Sequence, residues 1–107
     1  MNRTVPACRI AVAGRFRATK GVTHAVMKAM EAMVGASAAE DGCEVYHYAR
    51  DVFDPTLIRV FEIWRDGDAL KRHRSAPHLI AWRAKSPDLG LGDATLFSYE
   101  IGREMPV

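Results

Sequence analysis

Three side chains suited to proton transfer or ring binding lie close together in the second half of the sequence: Glu62, Trp64 and His73. Glu62 and Trp64 are two positions apart, the spacing that places side chains on the same face of a strand. His73 follows in a helical stretch, on the side shared with apolar residues three and four positions earlier. Burial can bring a carboxylate and an imidazole to titrate near neutral pH. We therefore predict that Gly42–Leu79 gathers these side chains around one apolar pocket.

The elements that must position these residues follow from hydrophobic periodicity and from turn residues. Alternating β-branched and aromatic residues predict strands, and apolar residues at helical spacing predict helices. Asp66 is suited to cap a helix, and Pro77 to begin the next one. The predicted strands are Arg9–Ala18, Cys43–Val52, Leu57–Arg65 and Asp93–Glu104. One predicted helix begins at Val22, and two more span Gly67–Ala76 and Pro77–Lys85. The segment Ser86–Gly92 is predicted to be a flexible loop. This βαββαβ order predicts an α+β, ferredoxin-like antiparallel sheet with helices on one side.

Alternation along the third predicted strand assigns its side chains to faces of the sheet. Phe61 and Ile63 share one face, whereas Val60, Glu62 and Trp64 share the other. We expect the helices to cover the purely apolar face. Glu62 and Trp64 would then point away from the core of the monomer, with His73 leaning toward them from the sheet edge.

Composition limits the function classes. The 107 residues are 49% hydrophobic and 26% charged, as expected for a single globular domain spanning 1–107. A net charge of +2 is too small to favour nucleic acid or an anionic membrane as a partner. Cys8 and Cys43 predict reduced thiols and no metal site, with Cys43 packed inside. Arg9 interrupts the apolar residues after Arg3, so no secretory signal is predicted, and we expect a cytoplasmic protein.

Four short motifs resemble those of the antibiotic biosynthesis monooxygenase family of dimeric α+β barrel proteins. They are Gly42-Cys43-Glu44-Val45-Tyr46, Phe61-Glu62-Ile63-Trp64, Ala69-Leu70-Lys71-Arg72-His73 and Ser75-Ala76-Pro77-His78. The resemblance covers nearly the whole chain and is specific only when the motifs are taken together. It implies a homodimer whose two sheets pack face to face, with an apolar pocket between sheet and helices in each monomer.

The resemblance also implies an activity. Several family members are cofactor-independent oxygenases of phenols, quinols or anthrone-like substrates, in which the deprotonated substrate reacts with molecular oxygen. Carried onto this chain, the resemblance makes Glu62 and His73 the catalytic polar residues. Trp64 and Tyr46 or Tyr48 would stack on the substrate ring or orient it, Trp82 would form a wall of the pocket, and the loop Ser86–Gly92 would gate it.

Other interpretations of the same residues stay open. A related branch degrades haem with a pocket Asn, a Trp and a ligand His, but the matching positions hold Gly14, His73 and Arg83, which argues against haem. Glu62 and His73 could simply be satisfied buried groups, and the tryptophans could be packing residues. His78 and His47 are expected at the surface or rim. The alternative function is a dimeric small-molecule-binding or stress-related barrel without turnover.

Overall fold

The computed structural model describes residues 8–107, which form four strands and three helices. Arg3, on which the prediction of no secretory signal partly rests, lies outside the described residues. None of the helices in the described part of the chain has the length and apolar character needed to cross a bilayer. The elements are β1 Ile10–Ala18, α1 His24–Ala38, β2 Cys43–Arg50, β3 Leu57–Trp64, α2 Gly67–Arg74, α3 Pro77–Lys85 and β4 Leu91–Glu100.

The strands form one antiparallel sheet in the order β2-β3-β1-β4. This order and the element sequence confirm the predicted α+β, ferredoxin-like fold. The helices lie against one face of the sheet, and the core fills the space between them. Cys43 packs against this core but is only half-buried, and both cysteines among the described residues are free.

Capping and turn residues set the ends of the elements. Asp66 caps α2 as predicted, because its Oδ1 accepts from the Ala69 backbone N–H at 2.9 Å. Thr23 caps α1 in the same way, so the helix begins at His24 rather than at Val22. β2 ends at Arg50, since the Asp51 carboxylate accepts backbone N–H groups of the following turn. β4 begins at Leu91, inside the predicted loop, and ends at Glu100.

The predicted assignment of faces along β3 is wrong. Val60, Glu62 and Trp64 point toward the helices and are 4%, 4% and 0% exposed, whereas Phe61 on the opposite face is 43% exposed. Apolarity alone does not decide the face, because Trp64 Nε1 donates to Glu62 Oε1 at 2.8 Å, which pairs the indole N–H and one carboxylate oxygen inside the core. The other face of the sheet is left open by the monomer.

At the start of the predicted unit Gly42–Leu79, the backbone of Gly42 lies close to Ala69 of α2. Gly42 has φ +87°, a left-handed conformation that glycine adopts without strain. A Cβ at this position would lie 2.6 Å from the Ala69 Cβ of α2. The absence of a side chain therefore lets α2 pack directly over the start of β2, which brings His73 against the sheet.

Candidate active site

A cavity of about 520 Å³ lies between the sheet and the helices α2 and α3. Apolar and aromatic side chains form most of its wall, and a few polar side chains converge on it, the usual make-up of a small-molecule site. The wall includes Phe16, Tyr46, Tyr48, Glu62, His73, Arg74 and Trp82. The structure thus brings five of the six predicted site residues to one cavity.

Glu62 is the buried carboxylate of this cavity. Its Oε1 accepts from Trp64, whereas Oε2 has no hydrogen-bond partner among residues 8–107. No fully enclosed polar side-chain atom among these residues lacks a partner, so Oε2 is reachable from the cavity. Burial raises the pKa of Glu62 to about 7; the Trp64 N–H opposes the rise, and the Glu40 charge adds to it. Glu62 therefore has a free oxygen and a proton affinity suited to a general base near neutral pH.

Trp64 lies behind Glu62 rather than in the cavity wall. Its indole is completely buried, and its ring centroid lies 4.6 Å from that of His73. Trp64, predicted to stack on a substrate ring or orient it, therefore does not line the cavity. Trp64 positions the Glu62 carboxylate and supports one side of the His73 ring.

Both ring nitrogens of His73 lie within hydrogen-bond distance of another side chain. Its Nδ1 lies 2.6 Å from Glu40 Oε2, and its Nε2 lies 3.5 Å from the Tyr46 hydroxyl. Burial lowers the pKa of His73 even though the Glu40 carboxylate opposes this. With the ring neutral and Nδ1–H donating to Glu40, Nε2 presents a lone pair toward Tyr46 and the cavity.

Glu40 and His78 are not among the predicted site residues, but both contact the His73 cluster. The Oε2 of Glu40 that contacts His73 also lies 2.7 Å from His78 Nε2. His78 is half-buried, and no local sequence pattern indicates this pairing. Glu40 thus joins the turn after α1 to both α2 and α3.

The aromatic wall is a connected cluster. Tyr48 and Trp82 have ring centroids 5.8 Å apart, and each packs edge-on against Phe16. The Tyr46 and Tyr48 hydroxyls are 3.2 Å apart, and burial raises the pKa of both, that of Tyr48 to about 12. The tyrosines therefore stay protonated near neutral pH and can donate hydrogen bonds to an anionic ligand.

Comparison with known proteins identifies the family. The sequence model of the family described as antibiotic biosynthesis monooxygenase matches residues 9–85. This chain belongs to the antibiotic biosynthesis monooxygenase family. Over 80 residues it is 32% identical to the Mycobacterium tuberculosis protein named "Putative monooxygenase Rv0793", covering 75% of this chain and 78% of the relative.

Solved structures agree with this family assignment. Rv0793 matches with a TM-score of 0.79 at 26% identity, over 92% of this chain and 99% of that one. PA3566 from Pseudomonas aeruginosa matches with a TM-score of 0.80 at 25% identity, over 94% and 100%. A Deinococcus radiodurans protein has a TM-score of 0.84 at 20% identity, over 92% and 97%, which shows the fold alone.

Gly14 of β1 pairs with Leu96 of β4. A Cβ at this position would lie 2.0 Å from the Thr95 carbonyl oxygen and 2.8 Å from the Leu96 Cα. β1 and β4 approach too closely here for any side chain.

Proposed function

We propose that this chain is a cofactor-independent monooxygenase acting on a small aromatic substrate of the quinol, phenol or anthrone type. The observation that carries the proposal is the Glu62 carboxylate, which presents a free oxygen and a near-neutral pKa to a cavity walled by aromatic rings. Membership of the antibiotic biosynthesis monooxygenase family supports the same reaction class.

The reaction needs a base, a dry cavity and stabilisation of an anion. Glu62 takes a proton from the acidic methylene of an anthrone-like substrate, leaving a delocalised carbanion. This anion gives one electron to O2, and the radical pair joins to form a carbon–oxygen bond. The resulting peroxide is protonated and loses water together with the second methylene hydrogen. The CH2 group thereby becomes a carbonyl, and O2 supplies one oxygen atom to the product and one to water.

The remaining wall residues have roles that follow from their placement. Tyr48 and Trp82 offer ring faces and edges on which a planar substrate stacks. His73 and Tyr46 offer a hydrogen-bonded pair for a substrate oxygen. Arg74 at the cavity edge lowers the pKa of Glu62, and its charge also favours a bound anion.

Oxygen uptake tests the proposal. Protein dialysed against a chelator and free of flavin or haem absorbance is mixed with an anthrone or quinol in an oxygen electrode. We expect uptake above the uncatalysed rate, rising as the pH increases through about 7, where Glu62 ionises. Glu62→Gln should lower kcat by about 10²–10⁴-fold, the usual contribution of a general base. The exposed Glu100→Gln is the matched control and should keep the wild-type rate.

Two results would count against this activity. Uptake that is unchanged in Glu62→Gln would remove Glu62 from the reaction. Ligand binding without uptake above the uncatalysed rate would instead favour the alternative, a small-molecule-binding barrel without turnover.

We also propose that two copies of the chain pair through their open sheet faces. The strand register puts Val45, Phe61, Ile63, Phe97 and Tyr99 on this face. Phe61, Phe97 and Tyr99 are 43%, 60% and 55% exposed. A contiguous apolar surface of this kind is typical of an interface rather than of a free surface.

Sedimentation or light scattering checks the pairing. Phe61→Lys places a charge at the centre of the open face and should convert dimer to monomer. Phe53→Lys is the control, because Phe53 is 93% exposed but lies in the turn between β2 and β3. A wild-type chain that is monomeric at micromolar concentration would refute the proposal.

A further inference from the structure

We propose that Glu40, His73 and His78 bind one divalent transition-metal ion, with Zn²⁺ the best-matched ion. These residues lie behind the cavity wall, on the side of His73 that faces away from Tyr46. The inference is separate from the monooxygenase proposal, since Zn²⁺ has no redox chemistry of its own.

The donor atoms already converge on one point. His73 Nδ1 and His78 Nε2 lie 2.6 and 2.7 Å from the same Glu40 oxygen, and the three donor atoms are all within 4.8 Å of one another. Tetrahedral Zn²⁺ with bonds of about 2.0–2.1 Å holds its ligand atoms about 3.3 Å apart. To admit an ion, the Glu40 oxygen would withdraw by less than about 1 Å, and the two imidazole nitrogens, which lie within 4.8 Å of each other, would approach to about 3.3 Å. Glu40 lies in the turn after α1, where its side chain can make this adjustment.

The chemistry of the donor set fits the ion. Two imidazoles and one carboxylate form a ligand set that proteins use for Zn²⁺, with a fourth position left for water. The His78 and Glu40 side chains are 26% and 16% exposed, so an ion and its water can reach the cluster from solvent. The three ligands come from separate segments, which a bound ion would cross-link.

The outer contacts of His73 also suit a ligand role. A metal-bound imidazole normally donates its other N–H to a nearby oxygen, which fixes the ring orientation. With Nδ1 on the ion, His73 Nε2 carries hydrogen and faces the Tyr46 hydroxyl oxygen at 3.5 Å. Trp64 packs against the ring and restricts its rotation. The orientation that a metal would require is therefore held by groups outside the ligand set.

Zinc titration tests the site on the whole protein without any oxygenase substrate. Chelator-treated protein is titrated with Zn²⁺ by calorimetry and against a chromophoric chelator, and its melting temperature is followed. We expect one ion per chain and a rise in Tm of about 10 °C at 100-fold excess over Kd. His78→Ala and Glu40→Gln should each weaken binding by at least 10–100-fold, roughly the loss seen even for outer ligand partners. The exposed His24→Ala should bind as the wild type does.

Two results would contradict the proposed metal site. Absence of one-equivalent binding, or equal binding by His78→Ala and the wild type, would show that the cluster is only a hydrogen-bonded clamp. If the variants do not fold, X-ray absorption of the wild-type zinc complex decides: two imidazoles without sulfur support the site, and a cysteine ligand overturns it. Because oxygen uptake is measured separately, either proposal can fail alone.

Discussion

Replacing Glu62 by glutamine separates the electrostatic cost of the buried carboxylate from its hydrogen bond. Glutamine resembles the protonated acid, and its carbonyl oxygen can still accept from Trp64 Nε1. Burial raises the pKa of Glu62 from 4.5 to about 7, so folding favours the protonated form. The wild-type protein therefore loses stability as the pH rises through this window. At about 1.4 kcal/mol per pH unit, the full loss is about 3 kcal/mol.

Urea unfolding followed by tryptophan fluorescence measures this effect. Glu62→Gln should be more stable than the wild type by less than about 1 kcal/mol at pH 5 and by about 3 kcal/mol at pH 8.5. Protein concentration is held constant so that association does not contribute. Glu100→Gln, on the exposed part of β4, should show no such pH-dependent difference. A constant difference between Glu62→Gln and the wild type across this range would refute the argument that the carboxylate is desolvated.

The other predictions concern the groups around this carboxylate and the sheet beneath it. Trp64→Ala should lower the free energy of unfolding by about 3–5 kcal/mol in urea at pH 7, because it empties a fully buried site; a loss below about 1 kcal/mol would contradict the packing described. Tyr46→Phe removes the hydroxyl next to His73 and should cost about 0.5–1.5 kcal/mol in the same assay, with no change in secondary structure by circular dichroism. Gly14→Ala should lower the melting temperature, since its Cβ would lie 2.0 Å from a β4 carbonyl oxygen and relieving the clash costs about 1–3 kcal/mol; an unchanged Tm would show that β4 moves freely.

Local sequence signals predicted the elements and their order but not every boundary. Asp66 caps the start of α2, and Pro77 begins α3 with its fixed backbone angle; both effects act within one helical turn. The start of β4 at Leu91 was missed, because Leu91 pairs with Ala18 of β1 and is buried against the core. A strand residue next to two glycines carries no local sign of such pairing.

The face of β3 could not be predicted from polarity. The face of β3 that carries Glu62 includes a carboxylate, whereas the face that carries Phe61 is purely apolar, so polarity favoured burial of the Phe61 face. Only the geometry of one side-chain hydrogen bond, from an indole two residues away on the same face, makes burial of this carboxylate tolerable. The contacts of Glu40 could not be predicted for a related reason: Glu40 is separated from His73 by 33 positions and from His78 by 38, so only the folded chain joins them.

The two nitrogens of His73 connect the cavity to the Glu40 cluster. While Nδ1–H donates to Glu40, Nε2 presents a lone pair to Tyr46; an ion at Nδ1 would place the hydrogen on Nε2 and make it a donor toward the cavity. Moving the His73 hydrogen from Nδ1 to Nε2 leaves the hydrogen bond of Glu62 unchanged, because Glu62 accepts from Trp64 rather than from His73. The ion would offset the Glu40 charge that helps to raise the pKa of Glu62, so Glu62 would ionise more readily, while the hydrogen-bond polarity offered to a substrate oxygen reverses. A substrate that binds as an anion through an oxygen should consequently bind more tightly to the zinc-loaded protein, and one that donates its own hydroxyl to His73 should bind less tightly.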